Sequence, residues 1–392
     1  MSLVGDWNYP TRIRFGAGRA TDLPGACREL GINRPLLVTD RQLVATSMVA
    51  EATAACIREG LAIAIFSDFG GDPTGSEVDA GAGAARAHRA DGVIAFGGGS
   101  AMDAGKAVAF IAGQSRPLWD FEDVGDNWRR ADEAAILPVV AVPTTAGTGS
   151  EVGRASVIKD EAARVKRIIF HPRMLPALVI ADPALSVGLP AHLTAAVGMD
   201  ALSHNLEAYF APGFHPFARG IAVEGARLIK DWLPLAVRDG GNLEARANML
   251  AAAEAGAAAF QRGLGAMHAL AHPLGALYGV HHGLLNAVLA PYVLAANMPA
   301  IAKDAAMLAR YLDLGHGPDD LMDWVLSLRR TIGIPHTLAE IGVPGNELAL
   351  IARMATQDPS AAGNPIPFRE ADYAEIARRA LTGELARARV DA

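Results

Sequence analysis

Val93-Ile94-Ala95-Phe96 runs straight into Gly97-Gly98-Gly99-Ser100, and Ala101-Met102-Asp103-Ala104-Gly105-Lys106 follows. A short apolar run closed by turn residues reads as a buried parallel strand. The alanine-rich segment behind it reads as a helix. Strand, glycine turn and helix together make the repeating unit of a parallel α/β sheet. At this junction three glycines allow a phosphate close to the backbone. The helix N-terminus adds unpaired N–H groups and the positive end of its dipole. The turn lacks the Gly-x-Gly-x-x-Gly spacing, and a plain tight turn has a similar composition. Its place between a buried strand and a helix favours the phosphate-binding reading.

Working outward, the same alternation continues on both sides. Residues 11–16 alternate polar and apolar and predict a short edge strand. Leu36-Leu37-Val38-Thr39-Asp40 predicts a buried strand ending in an acidic residue, and a helix follows to about Gly60. Ala62–Phe66 predicts another strand, leading into the loop Gly70-Gly71-Asp72-Pro73-Thr74 and a helix over Val78–Arg89. Downstream, Ile136–Val142 predicts a strand that opens into Pro143-Thr144-Thr145-Ala146-Gly147-Thr148-Gly149-Ser150-Glu151. So many hydroxyls and glycines suit either a solvated loop or a second wall for a phosphate or ribose. Ser156–Lys159 and Val165–Phe170 suggest a hairpin carrying Lys166, a solvated charge or a partner for a pyrophosphate. Leu178–Asp182 is the last clear strand. In such a sheet the ligand lies beyond the C-terminal strand ends, where Asp40, Asp72 and Gly97 all fall.

From Pro190 the β signal stops, and helices are expected at about 192–210, 217–238, 243–260, 264–277, 283–297, 299–313, 318–333, 346–355 and 370–382. The expected organisation is an α/β dinucleotide-binding domain with a parallel sheet over residues 1–186 and an all-α metal-binding domain over 187–392, with the site in the cleft between them. In the helical half, Asp200 and His204 are four apart, as are His268 and His272. On a helix that spacing puts both side chains on one face. A lone histidine on an apolar helix is more often a core residue than a ligand. Here five of the chain's 11 histidines are His204, His268, His272, His281 and His282. A carboxylate with several imidazoles suits a divalent transition metal such as Zn²⁺ or Fe²⁺.

Composition narrows the classes. A chain of 392 residues exceeds one ordinary core. The net charge of −7 argues against a general nucleic-acid binder. Two cysteines, Cys27 and Cys56, cannot form a disulfide framework, which points to a reducing cytoplasm. No N-terminal stretch has the layout of a signal peptide. The most apolar runs, such as Ala251–Ala259 around Glu254, do not read as membrane spans.

Four stretches now stand in order: Gly-Gly-Gly-Ser-Ala-Met-Asp, Pro-Thr-Thr-Ala-Gly-Thr-Gly-Ser-Glu, Gly-Met-Asp-Ala-Leu-Ser-His-Asn-Leu-Glu, and His-Ala-Leu-Ala-His-Pro-Leu-Gly with His-His-Gly after it. In this order and spacing the chain resembles the iron-containing (group III) alcohol dehydrogenases. The resemblance extends to the late Asp358 … Asn364-Pro365 segment and covers nearly the whole chain. It implies a metal- and NAD(H)-dependent alcohol dehydrogenase or aldehyde reductase. It places metal ligands at Asp200, His204, His268 and His282, the last preferred to His281 because it directly precedes Gly283. His272 matches a histidine assigned to proton relay. Gly98, Gly99, Ser100 and Asp103 match the pyrophosphate turn, and Thr144, Thr145, Thr148 and Ser150 the second cofactor wall. Lys166 and Leu185 match further NAD contacts. Asp40 matches the acidic residue facing the adenine ribose, which favours NAD over NADP. Fe²⁺ is the expected metal, with Zn²⁺ suited to the same ligands. A homodimer or higher homo-oligomer is expected, paired through the edge strand near Ile13, with no nucleic-acid or membrane partner.

The segment Gln261-Arg262-Gly263-Leu264-Gly265 is one residue shorter than in many members, and Gly153-Arg154-Ala155 departs from them too. Substrate identity therefore does not carry over. Arg154 and Arg262 together suggest an aldehyde bearing a carboxylate or phosphonate. Rival readings are a maleylacetate reductase or a hydroxyacid–oxoacid transhydrogenase, a dehydroquinate synthase-like lyase, and a non-catalytic nucleotide binder.

Overall fold

The computed structural model describes residues 9–385. The N-terminal residues read above for a leader lie outside the described range. Contacts cluster into two compact units, one spanning Tyr9–Gly188 and the other beginning at Leu189.

The first unit holds strands β1 (Arg12–Phe15), β2 (Pro35–Val38), β3 (Ala64–Phe66), β4 (Gly92–Gly97), β5 (Val139–Pro143), β6 (Ala155–Asp160), β7 (Val165–Phe170) and β8 (Leu178–Ala181). Helices α1 (Leu23–Glu29), α2 (Ser47–Arg58), α3 (Gly75–His88) and α4 (Gly99–Ile111) lie among them. Six strands form a parallel sheet in the order β1-β8-β5-β4-β2-β3, and β6 and β7 pair as an antiparallel hairpin. Every residue of β4, β5 and β8 is buried, as continuous apolar runs covered on both faces require. β1 sits at the sheet edge, pairing with β8 alone. The register of β4 on β5 sets Gly97 opposite Pro143, so the two loops read from the sequence leave adjacent strands at one level. The helix α3 begins in a capping box, with Thr74 and Glu77 satisfying each other's backbone N–H groups.

The second unit contains α5 (Ala191–Phe210), α6 (Pro216–Arg238), α7 (Leu243–Ala259), α8 (Ala266–Tyr278), α9 (His282–Tyr311), α10 (Pro318–Thr331), α11 (Leu348–Gln357) and α12 (Glu370–Thr382). α5 is buried without interruption from Gly198 to Phe210, the signature of a helix enclosed by others. Three of its neighbours pack at van der Waals limits. A Cβ on Gly225 of α6 would lie 2.1 Å from Asn205 Oδ1, and one on Gly256 of α7 would lie 2.8 Å from Asn205 Nδ2. One on Gly283 of α9 would meet the Ala196 carbonyl at 2.5 Å. α8 stops at Gly279, whose φ of 67° is the left-handed conformation of a helix C-cap.

The sequence reading split α9 in two at Pro299, yet the helix runs unbroken for 30 residues with Pro291 and Pro299 inside it. Proline removes one helical hydrogen bond at each point. Packing against α5, α8 and α10 outweighs that loss. α9 also bears on the membrane reading. Among the described residues it alone is long and apolar enough to span a bilayer, although 72% of its most apolar window is buried inside the protein.

Candidate active site

Three helices bring the expected metal ligands together. Asp200 and His204 project from one face of α5, His268 from α8 and His282 from the first residue of α9. One ligand atom each from Asp200, His204 and His268 lies within 4.8 Å of the others, and all three residues are buried. His282 stands beside this trio, with Nε2 3.6 Å from Asp200 Oδ1.

The surroundings suit a cation. His268 Nδ1 is 2.7 Å from Glu207 Oε2, which fixes the ring and leaves Nε2 for a metal. The same carboxylate accepts the backbone N–H groups of Gly265 at 2.8 Å and Met267 at 2.7 Å, so Glu207 also caps α8. Burial disfavours a charged His268, but the Glu207 carboxylate outweighs it and raises the imidazole's pKa. A buried carboxylate beside two or three imidazoles, with one ring oriented by a second carboxylate, is the donor set of a divalent transition metal.

His272 lies one turn beyond His268, and its ring stacks on His282 at 5.4 Å between centroids. Its Nδ1 is 2.7 Å from Asp358 Oδ2. Burial would raise the Asp358 pKa, but His272 and the Ser360 amide hold the carboxyl below its ordinary range. Asp358 thus fixes the His272 ring through Nδ1.

In the first unit the glycine turn forms a cradle. Gly97 has a φ of 145°, which disfavours a side chain. A Cβ on Gly98 would lie 3.3 Å from the Thr145 side chain, and one on Gly99 only 2.6 Å from Thr148 Cγ2. The Thr144 N–H donates to the Gly97 carbonyl at 2.9 Å, holding both loops side by side. Asp40 accepts the Gln42 and Leu43 N–H groups through Oδ1 at 2.8 and 3.0 Å, while its Oδ2 faces Gly97. Leu185 packs against the core beside the sheet.

Other expected contacts are committed within the protein. Asp103 accepts from the Ser150 hydroxyl through Oδ1 and from the Val157 N–H at 3.0 Å through Oδ2. Lys106, which the sequence reading left without a role, is almost wholly buried and donates to the Ser150 carbonyl at 2.9 Å and its hydroxyl at 2.6 Å. Asp103, Lys106 and Ser150 therefore clamp the threonine loop to α4. Burial pushes the neighbouring Glu151 carboxyl up to about 7. Asp72 has a φ of 53° and pairs with Lys166 Nζ at 2.7 Å, while its N–H donates to Ser100 Oγ at 3.2 Å. The lysine's charge is answered inside the unit. Arg262 donates to the Gly213 carbonyl at 2.7 Å and the Ala208 carbonyl at 3.0 Å, and to that of Tyr209. Through Nε and Nη1 it caps the C-terminal carbonyls of α5. Arg154 lies over the Phe170 ring, 5.6 Å from its centroid.

Glu207 and Asp358 are additions to the sequence-derived site. Glu207 lies seven residues after Asp200, on the same helical face, so periodicity could have found it. Asp358 is 86 residues from His272 and leaves no local trace.

A glycine turn at the strand ends of a parallel sheet and a buried carboxylate–imidazole cluster fit a metal-dependent oxidoreductase acting on CH–OH groups. The chain belongs to the iron-containing alcohol dehydrogenase family: residues 10–183 match the family described as iron-containing alcohol dehydrogenase, and residues 194–381 its C-terminal domain. It is 39% identical to the 4-hydroxybutyrate dehydrogenase of Cupriavidus necator, over 95% of this chain and 99% of that protein. A crystal structure of 1,3-propanediol oxidoreductase superposes with a TM-score of 0.91 at 34% identity, covering 96% of this chain and all (100%) of the other. The sulfoacetaldehyde reductase of Bifidobacterium kashiwanohense, solved with NAD⁺, superposes with a TM-score of 0.88 at 29% identity, over 98% of this chain and 100% of the other.

Proposed function

We propose that this chain interconverts a small primary alcohol and its aldehyde, using NAD and one divalent metal held by Asp200, His204, His268 and His282. The meeting of Asp200, His204 and His268 in one buried cluster carries the reading. When bound, the metal supplies Lewis acidity toward a substrate oxygen and NAD supplies the hydride acceptor. The chain does the rest. Glu207 holds His268 in the ligating tautomer. Asp358 holds His272 so that Nε2 can take up or return the hydroxyl proton. Gly98, Gly99 and Ser100 receive the pyrophosphate, with Thr144, Thr145 and Thr148 opposite, and Asp103 and Ser150 fix that wall in place. Lys166 and Leu185 complete the cofactor side. Asp40 Oδ2 accepts from a ribose 2′-hydroxyl and repels a 2′-phosphate, so NAD is preferred to NADP.

Fe²⁺ is the metal we favour from the family, and Zn²⁺ fits the same nitrogen-rich donors. The open edge of β1 supports a homodimer, as unpaired strand edges are pairing surfaces. Two buried free cysteines fit a cytoplasmic protein. The deciding experiment measures NADH oxidation by protein loaded with Fe²⁺, with Zn²⁺ or with no metal, against succinic semialdehyde, 3-hydroxypropanal, sulfoacetaldehyde and formaldehyde. Metal-dependent turnover of at least one aldehyde is expected, and none with any metal overturns the reading. Arg262's commitment to α5 predicts no selective loss on acidic aldehydes in Arg262→Ala.

A further inference from the structure

Asn286 lies on α9 four residues after His282, one turn along the same face, and is fully buried. Its Nδ2 donates to Asp200 Oδ1 at 2.8 Å. The same nitrogen lies 3.2 Å from His268 Nε2 and 3.1 Å from His282 Nε2. Three acceptors from three helices thus converge on one amide nitrogen, which has two protons to offer. The amide's orientation follows from those neighbours. Turned over, its oxygen would face the Asp200 carboxylate oxygen and the His268 Nε2 lone pair. The oxygen instead points away, buried and without a hydrogen-bond partner. A buried amide that leaves its oxygen unsatisfied is held there by its nitrogen. The tautomer agrees. With Nδ1 of His268 engaged by Glu207, Nε2 carries the lone pair, which is the form that accepts from an amide and also the form that binds a metal.

We propose that Asn286 stands in for the cation. In metal-free protein its amide holds Asp200, His268 and His282 in coordinating geometry. On loading it yields the two imidazole nitrogens and keeps its bond to Asp200. Asn286 is a positioning residue, and the inference rests on the metal site proposed above. A consequence with a definite sign follows. Removing the amide costs metal-free protein both of its hydrogen bonds, one to Asp200 and one to an imidazole, but costs loaded protein only the one to Asp200. Substitution therefore weakens the metal-free form more, and by linkage the variant binds metal more tightly.

The test uses the full chain as Asn286→Leu, close in size but without a donor, and Asn286→Asp, close in shape and unable to donate when ionised. Thermal unfolding is recorded without metal and with Co²⁺, and Co²⁺ affinity is measured by competition with a chromophoric chelator. Both variants should lose more thermal stability without metal than with it. Their Co²⁺ affinity should rise by about two- to tenfold, the worth of one lost hydrogen bond to a neutral imidazole. In Asn286→Leu the visible Co²⁺ bands should stay where they are in wild type. Equal losses with and without metal would mean packing alone and overturn the proposal. So would a fall in affinity with shifted Co²⁺ bands, which would make Asn286 merely an orienter of Asp200 in loaded protein. If Asn286→Leu does not fold without metal, the smaller Asn286→Ser carries the same comparison. A wild type that binds no Co²⁺ would defeat the metal site itself, a result separate from these.

Discussion

The two units build their candidate sites by opposite means. The helical unit gathers side chains: ligands repeat at one-turn spacing on buried helices, and second carboxylates aim them. The α/β unit clears side chains away: Gly98 and Gly99 leave room beneath Thr145 and Thr148, and the polar groups around them are tied to one another. One site is made of donors and the other of backbone. They should fail differently under substitution.

The largest expected effect is in the helical unit. His268→Ala removes a ligand and the partner of Glu207. Metal should be lost, and kcat/KM should fall by about three orders of magnitude or more. NADH binding measured by fluorescence should stay near wild type. A variant retaining its metal and its activity would break the assignment. A smaller effect belongs to the cradle. Gly99→Val pushes a Cβ into Thr148 and should weaken NADH binding about tenfold or more while metal content stays unchanged. If both binding constants move together in either variant, the contrast between the units is wrong.

The smallest effect probes the clamp beneath the threonine loop. Glu151 is buried opposite Lys106 and Asp103, and burial lifts its pKa to about 7 from 4.5. The folded chain therefore binds this proton more firmly than the unfolded one. The stability it confers is complete below pH 4.5 and drains away as pH rises through 7. Glu151→Gln removes the titration. Wild-type Tm should decline relative to the variant by about 2 °C between pH 5 and 8. A Tm difference that stays constant across that range would exclude a titrating Glu151.

What the sequence disclosed follows the same division. A backbone requirement is written as residue identity, so the turn at Gly97 and the strand before it were legible at once. Helical periodicity exposed Asp200, His204 and His268. It could have exposed Glu207 and Asn286, at seven and four residues from a ligand, had acids and amides been read along with histidines. Asp358 could not be found that way, because its meeting with His272 depends on how α8 and the chain after α11 pack. The mutual pairing of Asp103 with Ser150, and of Asp72 with Lys166, was equally hidden. Each residue looks available for a ligand until its partner is seen. Pro299 misled for the opposite reason: a strong local signal lost to the burial of a long helix.

The close helix packing at Gly225, Gly256 and Gly283 bears on how this sequence can drift. All three have ordinary helical backbones, so no conformational rule marks them as irreplaceable. A methyl group at Gly283 would press on the Ala196 carbonyl and on Asp200 Cβ, and one at Gly225 or Gly256 would press on Asn205, the residue after His204. In a library of random variants these glycines should therefore be as intolerant as the ligands, though none of them touches an ion, a cofactor or a substrate.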